Sequence, residues 1–280
     1  MASRAPVVVG LYVPGDRPER FAKALAAGAD QVILVLEDAV APERKAVARA
    51  AVADLLRDPP DGRLAVRPNG HGTPWHDDDL GMLAGLPTPP ALRLPKVEGP
   101  DDVDRVVGRF RTDDLEVTAL IESALGIERA YDIARHPAVS AVALGEADLR
   151  GELGITAEPG LDWLRVRLVV AARAAGLDPP NLSVYPRLDD PEGLAASCRA
   201  GAALGLLGRT AIHPRQIPVI RAAFRPSPEE VERAEQVLAA LTGGVGVARL
   251  ADGRMVDGAM AVQARRTLQL RDHQSSTRMP

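Results

Sequence analysis

Eight short apolar runs, each followed by a stretch with helical periodicity, constrain this chain more than any other feature. The runs are VVVGLYV (7–13), QVILVLED (31–38), LAVRPN (64–69), ALRLPKVE (91–98), VTALIES (117–123), AVALGEADL (141–149), LSVYP (182–186) and the segment ending RTAIHP (209–214). Each is too short for a buried helix and too continuously apolar for a half-exposed strand, which is the signature of a parallel strand covered on both faces. Between them lie segments such as PERFAKALAAGA, ERKAVARAAVADLL and LDWLRVRLVVAARAAGL, whose apolar positions recur every three or four residues. Eight βα units close into a (β/α)8 TIM barrel. An open doubly wound sheet is the rival, but the turn after the first run reads VPGDRPERF and carries no GxGxxG.

After IHPRQI the alternation stops. PSPEEVERAEQVLAALTG starts like a capped helix, with Ser227 before Pro228 and acidic residues in the first turn. VGVARLADGRMVD reads as a small hairpin turning at Asp252-Gly253, and AMAVQARRTLQL as a last helix. The expected organisation is a barrel over 1–224, a C-terminal helical arm and lid over 225–270, and a disordered tail over 271–280. An arm that follows a complete barrel packs on a neighbouring subunit or covers a site mouth.

Composition excludes several classes. A net charge of −4 and a pI near 5.8 leave no footprint for nucleic acid. The single cysteine, Cys198, rules out an internal disulfide and a cysteine zinc site, and its helical setting reads as a packed thiol. No apolar run reaches ~18 residues, so no membrane partner is expected. The start of the chain lacks a signal-peptide pattern, and a cytoplasmic enzyme is the expectation.

The polar residues that interrupt the apolar runs cluster at their carboxyl ends, where α/β folds place ligands. They are Glu37, Asp38, Arg67, Asn69, Lys96, Glu98, Glu122, Asp148, Tyr185 and His213. Glu122 and Asp148, one βα unit apart, can share a hard divalent cation such as Mg2+; the competing reading is helix capping. Arg67 suits a carboxylate or enolate oxygen, or a structural pair with Glu37 or Asp38. Glu37 and Asp38 are adjacent and face opposite sides of a strand, so only one points into the mouth unless the chain bends; catalysis and orientation of Arg67 both stay open for them. Backbone N–H groups of Gly145, Glu146 and Ala147 can hold a substrate carboxylate, or form an ordinary βα turn. His213, before a proline, is a weak general-base candidate, and His71 and His76 have no zinc-site spacing. Arg17 and Arg20, in the first βα loop, are candidates for the phosphates of a cofactor-sized substrate, or a solvated helix start.

The ordered set PGDRPERFAKALAAGADQVILVLEDAV, RPNG, LPKVE, IES, GEADL, GLLGRTAIHPRQIPVIRAAFRPS and DGRMVDGAM resembles the citrate lyase beta-subunit-like proteins of the HpcH/HpaI aldolase superfamily, over about residues 10–268. The resemblance implies a Mg2+-binding barrel, trimeric or hexameric, that breaks or makes a C–C bond in a β-hydroxyacyl-CoA thioester. It puts Glu122 and Asp148 on the metal ligands, Arg67 on the arginine that binds the keto acid, and Asp257 on an acid that relatives supply from the lid of a neighbouring subunit. Asp257's local alternative is a helix N-cap. The rival activities are a malyl-CoA-type thioesterase, an aldolase on free hydroxy-keto acids, and a beta subunit of a citrate lyase complex. One departure is Val35, an acid in many relatives that read LDLED; substrate preference is where that change would be felt.

Overall fold

The apolar runs form seven parallel strands: β1 (Val9–Pro14), β2 (Gln31–Val35), β3 (Leu64–Arg67), β4 (Ala91–Leu94), β5 (Val117–Ile121), β6 (Val139–Leu144) and β7 (Arg209–Ala211). In this computed structural model, which describes residues 6–112, 114–241, 246–250 and 252–276, they lie in the order β6-β5-β4-β3-β2-β1-β7. Each pairs in parallel with its neighbour. All of β2 is buried, as expected for a strand covered on both faces. The helices cover the outside through one stripe each: Lys45, Ala48, Val52 and Leu56 are buried on helix Lys45–Arg57.

The sheet is curled. Arg93 on β4 donates to Thr210 Oγ1 on β7 across 3.5 Å, although β3, β2 and β1 separate them in the sheet. Arg67 on β3 and Arg93 both stand over the ring of Tyr12 on β1, at 5.9 and 5.3 Å. A flat sheet cannot bring these side chains together; a curled one faces them into its interior.

The expected seventh strand, LSVYP, is not a strand. Leu182 makes one isolated parallel bridge to Arg209, with Leu182 N–H on Gly208 O at 2.8 Å and Thr210 N–H on Leu182 O at 3.2 Å. Two further carbonyls are taken by side chains: Arg209 Nη1 donates to Ser183 O and Gln216 Nε2 to Tyr185 O. Prolines at 179, 180 and 186 bracket the segment and remove the N–H groups a ladder needs. The result is a seven-strand half-barrel, not a sheet closed by hydrogen bonds on all sides.

The chain divides into two compact units, Val7–Ala223 and a second from Phe224 onward. The second holds helix Pro228–Leu241, an antiparallel hairpin of β8 (Val247–Arg249) and β9 (Met255–Asp257), and helix Gly258–Ser276. Its core is Ala234, Val237, Leu250, Val256 and Ala264. Ser227 and Glu230 form a reciprocal cap, Glu230 N–H to Ser227 Oγ and Ser227 N–H to Glu230 Oε2. The hairpin turns where the sequence placed it, with Gly253 at φ +91°. The expected disordered tail is partly helical: the last helix continues to Ser276, with Arg271 paired to Glu235 at 2.7 Å. Residues 277–280 lie outside the described residues. No helix among the described residues is long and apolar enough to cross a membrane.

A side chain at Gly208 would overlap the carbonyl of Val8, the acceptor for Arg209 N–H between β1 and β7. Backbone cannot yield as a side chain can, so Gly208→Ala is expected to cost about 2 kcal/mol or more, read as a lower urea midpoint. An unchanged midpoint would contradict this packing.

Candidate active site

The site grows from the end of β2. The strand stops at Val35, and the chain bends at Leu36 and Glu37. Strict alternation would send Glu37 and Asp38 to opposite faces; the bend lets both reach Arg67 at the end of the neighbouring β3. A buried network holds it. Lys45 Nζ donates to Leu36 O (2.7 Å), Glu37 O (2.9 Å) and Asn69 Oδ1 (2.6 Å). Asn69 Nδ2 and N–H both bind Asp79 Oδ2, and Arg49 pairs with Asp79 and Asp78. His76 Nδ1 meets Asn69 O at 2.8 Å. Asp79 is fully buried. Two carboxylates and two cations balance here, so this network is a support, and burial draws the Lys45 ammonium's pKa down.

Above it, Arg67 is a hub. Its Nε pairs with Glu37 Oε2, and its Nη2 lies 3.4 Å from Asp38 Oδ2 and 3.7 Å from Glu122 Oε2. Glu122 follows β5 directly. It does not cap the next helix, because Ser123 Oγ takes that role by accepting from Gly126 N–H. Its carboxylate is free to face the cluster. Gly145, just past β6, lies against it: a side chain there would overlap Glu122 Cβ and Oε2.

Asp148 is not at a strand end. β6 stops at Leu144, and Asp148 sits in the first turn of helix Glu146–Leu153, where a carboxylate also favours the helix dipole. Lys96 joins it to Glu122: its N–H donates to Glu122 Oε1 (2.8 Å), while its Nζ lies 3.1 Å from Asp148 Oδ1 and 3.9 Å from Glu122 Oε1. Among the described residues, Lys96 alone is a non-glycine at positive φ, +54°, a conformation with a local energetic cost.

Burial pushes the Glu37 carboxyl up to about 7 against the pull of Arg67, with Asp38 and Glu122 adding to the rise. Burial raises Glu122 too, against Arg67 and Lys96. For Lys96, burial works downward, but the Asp148 hydrogen bond and the Glu122 and Asp148 charges outweigh it and the ammonium is raised. Four carboxylates (Glu37, Asp38, Glu122, Asp148) thus meet two side-chain cations, Arg67 and Lys96, a formal excess of two negative charges that the raised Glu37 and Glu122 carboxyls answer by holding protons more tightly. That excess and the all-oxygen donor set fit a hard divalent ion; Mg2+ commonly takes one or two carboxylates and fills its octahedron with water and substrate oxygens. No group of three or more His, Cys, Asp or Glu side chains shaped for a metal occurs among the described residues, which leaves the two-carboxylate arrangement.

Other expected residues lie elsewhere. The Glu146 side chain is committed to Arg165, by 2.9 and 3.0 Å hydrogen bonds, and the expected Gly145 donor is spent, its N–H donating to Ile121 O at 2.9 Å, so only the backbone N–H groups of Glu146 and Ala147, orphan donors in the first helical turn, keep a ligand role. His213 is absorbed in its own turn, its Nδ1 accepting from Arg215 N–H. Tyr185 binds Asp190 and Arg187. Arg17 and Arg20 are exposed, with distant acidic neighbours Asp16 and Glu19 at 3.8 and 4.0 Å. Asp257, in the second unit, caps the last helix by accepting from Ala259 and Met260 N–H. Cys198 is buried. The supporting Lys45, Arg49 and Asp79 were not anticipated. A signal existed for Lys45: it occupies the same helical stripe as Ala48, Val52 and Leu56.

Residues 8–214 match the family described as HpcH/HpaI aldolase/citrate lyase. The chain belongs to this family. Residues 181–269 also match the family described as C-C_Bond_Lyase of the TIM-barrel fold. Among relatives, a (3S)-malyl-CoA thioesterase of Cereibacter sphaeroides is 37% identical over 92% of both chains. An L-malyl-CoA/beta-methylmalyl-CoA lyase of the same species is 35% identical over 91% of both. A crystal structure of the protein CitE from Mycobacterium tuberculosis, in complex with magnesium, acetoacetate and coenzyme A, superposes with a TM-score of 0.82 at 36% identity, covering 96% of this chain and 100% of that one. For a member of this HpcH/HpaI family, the curled parallel sheet agrees with the TIM-barrel fold that the second family's description names.

The Glu37 rise has a sign that can be checked. A carboxyl with a folded pKa near 7 against an ordinary value near 4.5 contributes stability fully present below 4.5 and lost as pH rises through 7. Metal-free protein should therefore fall in urea midpoint between pH 5 and 8, and Glu37→Gln should flatten that fall. Parallel curves for parent and variant would contradict the buried setting of Glu37.

Proposed function

We propose that this protein is a Mg2+-dependent C–C lyase or aldolase that cleaves or forms a β-hydroxyacyl-CoA, giving acetyl-CoA or a related acyl-CoA and a keto acid. The observation that supports it best is the meeting of Glu122 and Asp148 on one half-exposed lysine, Lys96, in a cluster where carboxylates outnumber cations, with the buried Arg67 beside Glu122. Glu122 and Asp148 would hold the ion. When bound, Mg2+ supplies Lewis-acid polarisation of the keto oxygen.

The chain's own groups do the rest. Arg67 binds the keto-acid carboxylate with its fork, and its pairs with Glu37 and Asp38 keep the guanidinium oriented and charged. N–H groups of Glu146 and Ala147 receive a second substrate oxygen, with Gly145, whose own N–H holds Ile121 O, letting the turn approach it. In cleavage, a base takes the β-hydroxyl proton, the C–C bond breaks, its electron pair passes into the thioester enolate, and a proton returns to the enolate carbon to give the acyl-CoA. In synthesis, Asp257 is our candidate for deprotonating the acetyl methyl group, acting from the arm of a neighbouring subunit in a trimer or hexamer. Arg17 and Arg20, exposed at the mouth, suit the phosphates of CoA. We place the enzyme in the cytoplasm.

The second reading is a thioesterase, favoured by the likeness to (3S)-malyl-CoA thioesterases. There, water attacks the thioester carbonyl and CoA leaves as the thiol.

Turnover of malyl-, citramalyl-, citryl- and hydroxymethylglutaryl-CoA, with keto acid and free CoA followed separately, tests the proposal. Mg2+-dependent release of keto acid with acyl-CoA is expected from one of them, and Glu122→Gln or Asp148→Asn should lower kcat/KM by about a hundredfold or more. Arg67→Lys should chiefly raise KM for the keto acid in the synthetic direction, because an ammonium cannot reproduce the fork. Free CoA without keto acid would decide for the thioesterase. No turnover of any of the four would overturn both readings.

A further inference from the structure

The two carboxylates assigned to the divalent ion already share a cation, and it is built into the chain. Lys96 reaches them twice. Its backbone N–H holds Glu122 Oε1 at 2.8 Å, and its ammonium lies 3.1 Å from Asp148 Oδ1 and 3.9 Å from Glu122 Oε1. The side chain is about half exposed, at 55%, whereas the Glu122 side chain is at 2%. A flexible four-carbon stem at the site mouth can swing away; a carboxylate buried under Arg67 cannot. The backbone at Lys96 is left-handed, φ +54°, a conformation that a lysine adopts at a cost, and the bond from its N–H to Glu122 helps to fix it.

We propose that Lys96 is a tethered counter-ion for the divalent-cation site: its ammonium bridges Glu122 and Asp148 while no metal is bound, and it is displaced outward when the metal arrives. This rests on the reading of Glu122 and Asp148 as the metal pair. Two opposite contributions follow from one residue. The backbone N–H positions the Glu122 carboxylate in both states and supports metal binding. The ammonium competes with the metal for the same oxygens and weakens it. A unit charge a few ångströms from the ligands, at the half-exposed edge of a protein, is worth on the order of a tenfold change in affinity. The displaced ammonium then lies beside the substrate seat without a carboxylate partner, next to the anionic groups of the incoming acid.

Calorimetric titration of the full chain with Mg2+, at fixed pH and ionic strength, separates these contributions without reference to turnover. Lys96→Gly removes the ammonium, keeps the N–H that holds Glu122, and suits the left-handed backbone. Lys96→Met removes the charge and keeps the bulk. Both are expected to bind Mg2+ about tenfold more tightly than the parent, and Lys96→Arg to stay close to it. Unchanged or weaker binding by both Lys96→Gly and Lys96→Met would overturn the proposal while leaving the metal pair in place. If the parent binds no Mg2+, or binds it equally well after Glu122→Gln, the metal reading itself fails and the proposal with it.

Discussion

One guanidinium organises this site. Arg67 ends β3 facing the interior of a curled sheet, and it reaches carboxylates from two different strand ends, Glu37 and Asp38 after β2 and Glu122 after β5. A buried arginine of this kind is costly without partners. Here its partners outnumber it, so its charge is satisfied while the surroundings stay negative. That imbalance favours a divalent cation. In the proposed function an ion would neutralise the excess, and the arginine would offer a fork to the substrate carboxylate.

The hub is held by its supports. The bend after Val35 puts two consecutive acids on one guanidinium, and it exists because Lys45 Nζ gathers the Leu36 and Glu37 carbonyls with Asn69. Asn69 is in turn fixed by Asp79, and Asp79 by Arg49. On the other side, Gly145 lets β6 and the following helix approach Glu122 closely, and Ser123 takes the capping duty that would otherwise occupy it.

Most of this was legible where burial dictates composition. Parallel strands covered on both faces must be short and apolar, and seven of the eight runs could be placed on that ground, the eighth, RTAIHP, giving β7. The exception, LSVYP, fails because the pattern of apolar residues says nothing of where backbone hydrogen bonds go; prolines and the side chains of Arg209 and Gln216 took them. Glu122 and Arg67 were visible as charges that end apolar runs. Asp148 was visible as well, but one helical turn beyond the strand it was assigned to. The Glu37–Asp38 bend was invisible, since strand alternation holds only while the strand lasts. Lys45 was hidden by its helix, where a charged residue on an apolar stripe reads as a fault in the pattern. Asp257 illustrates the limit of local reading: the helix cap it makes is evident, and its catalytic candidacy comes only from family resemblance.

A crystal structure with Mn2+ and a keto acid such as pyruvate, the metal located by its anomalous signal, tests the central claim most directly. The account predicts one ion bound to carboxylate oxygens of both Glu122 and Asp148 at about 2.0–2.3 Å, the keto-acid carboxylate on the Arg67 fork, and Lys96 Nζ moved out from between the two acids. An ion held elsewhere, or a keto acid that leaves Arg67 untouched, would contradict it.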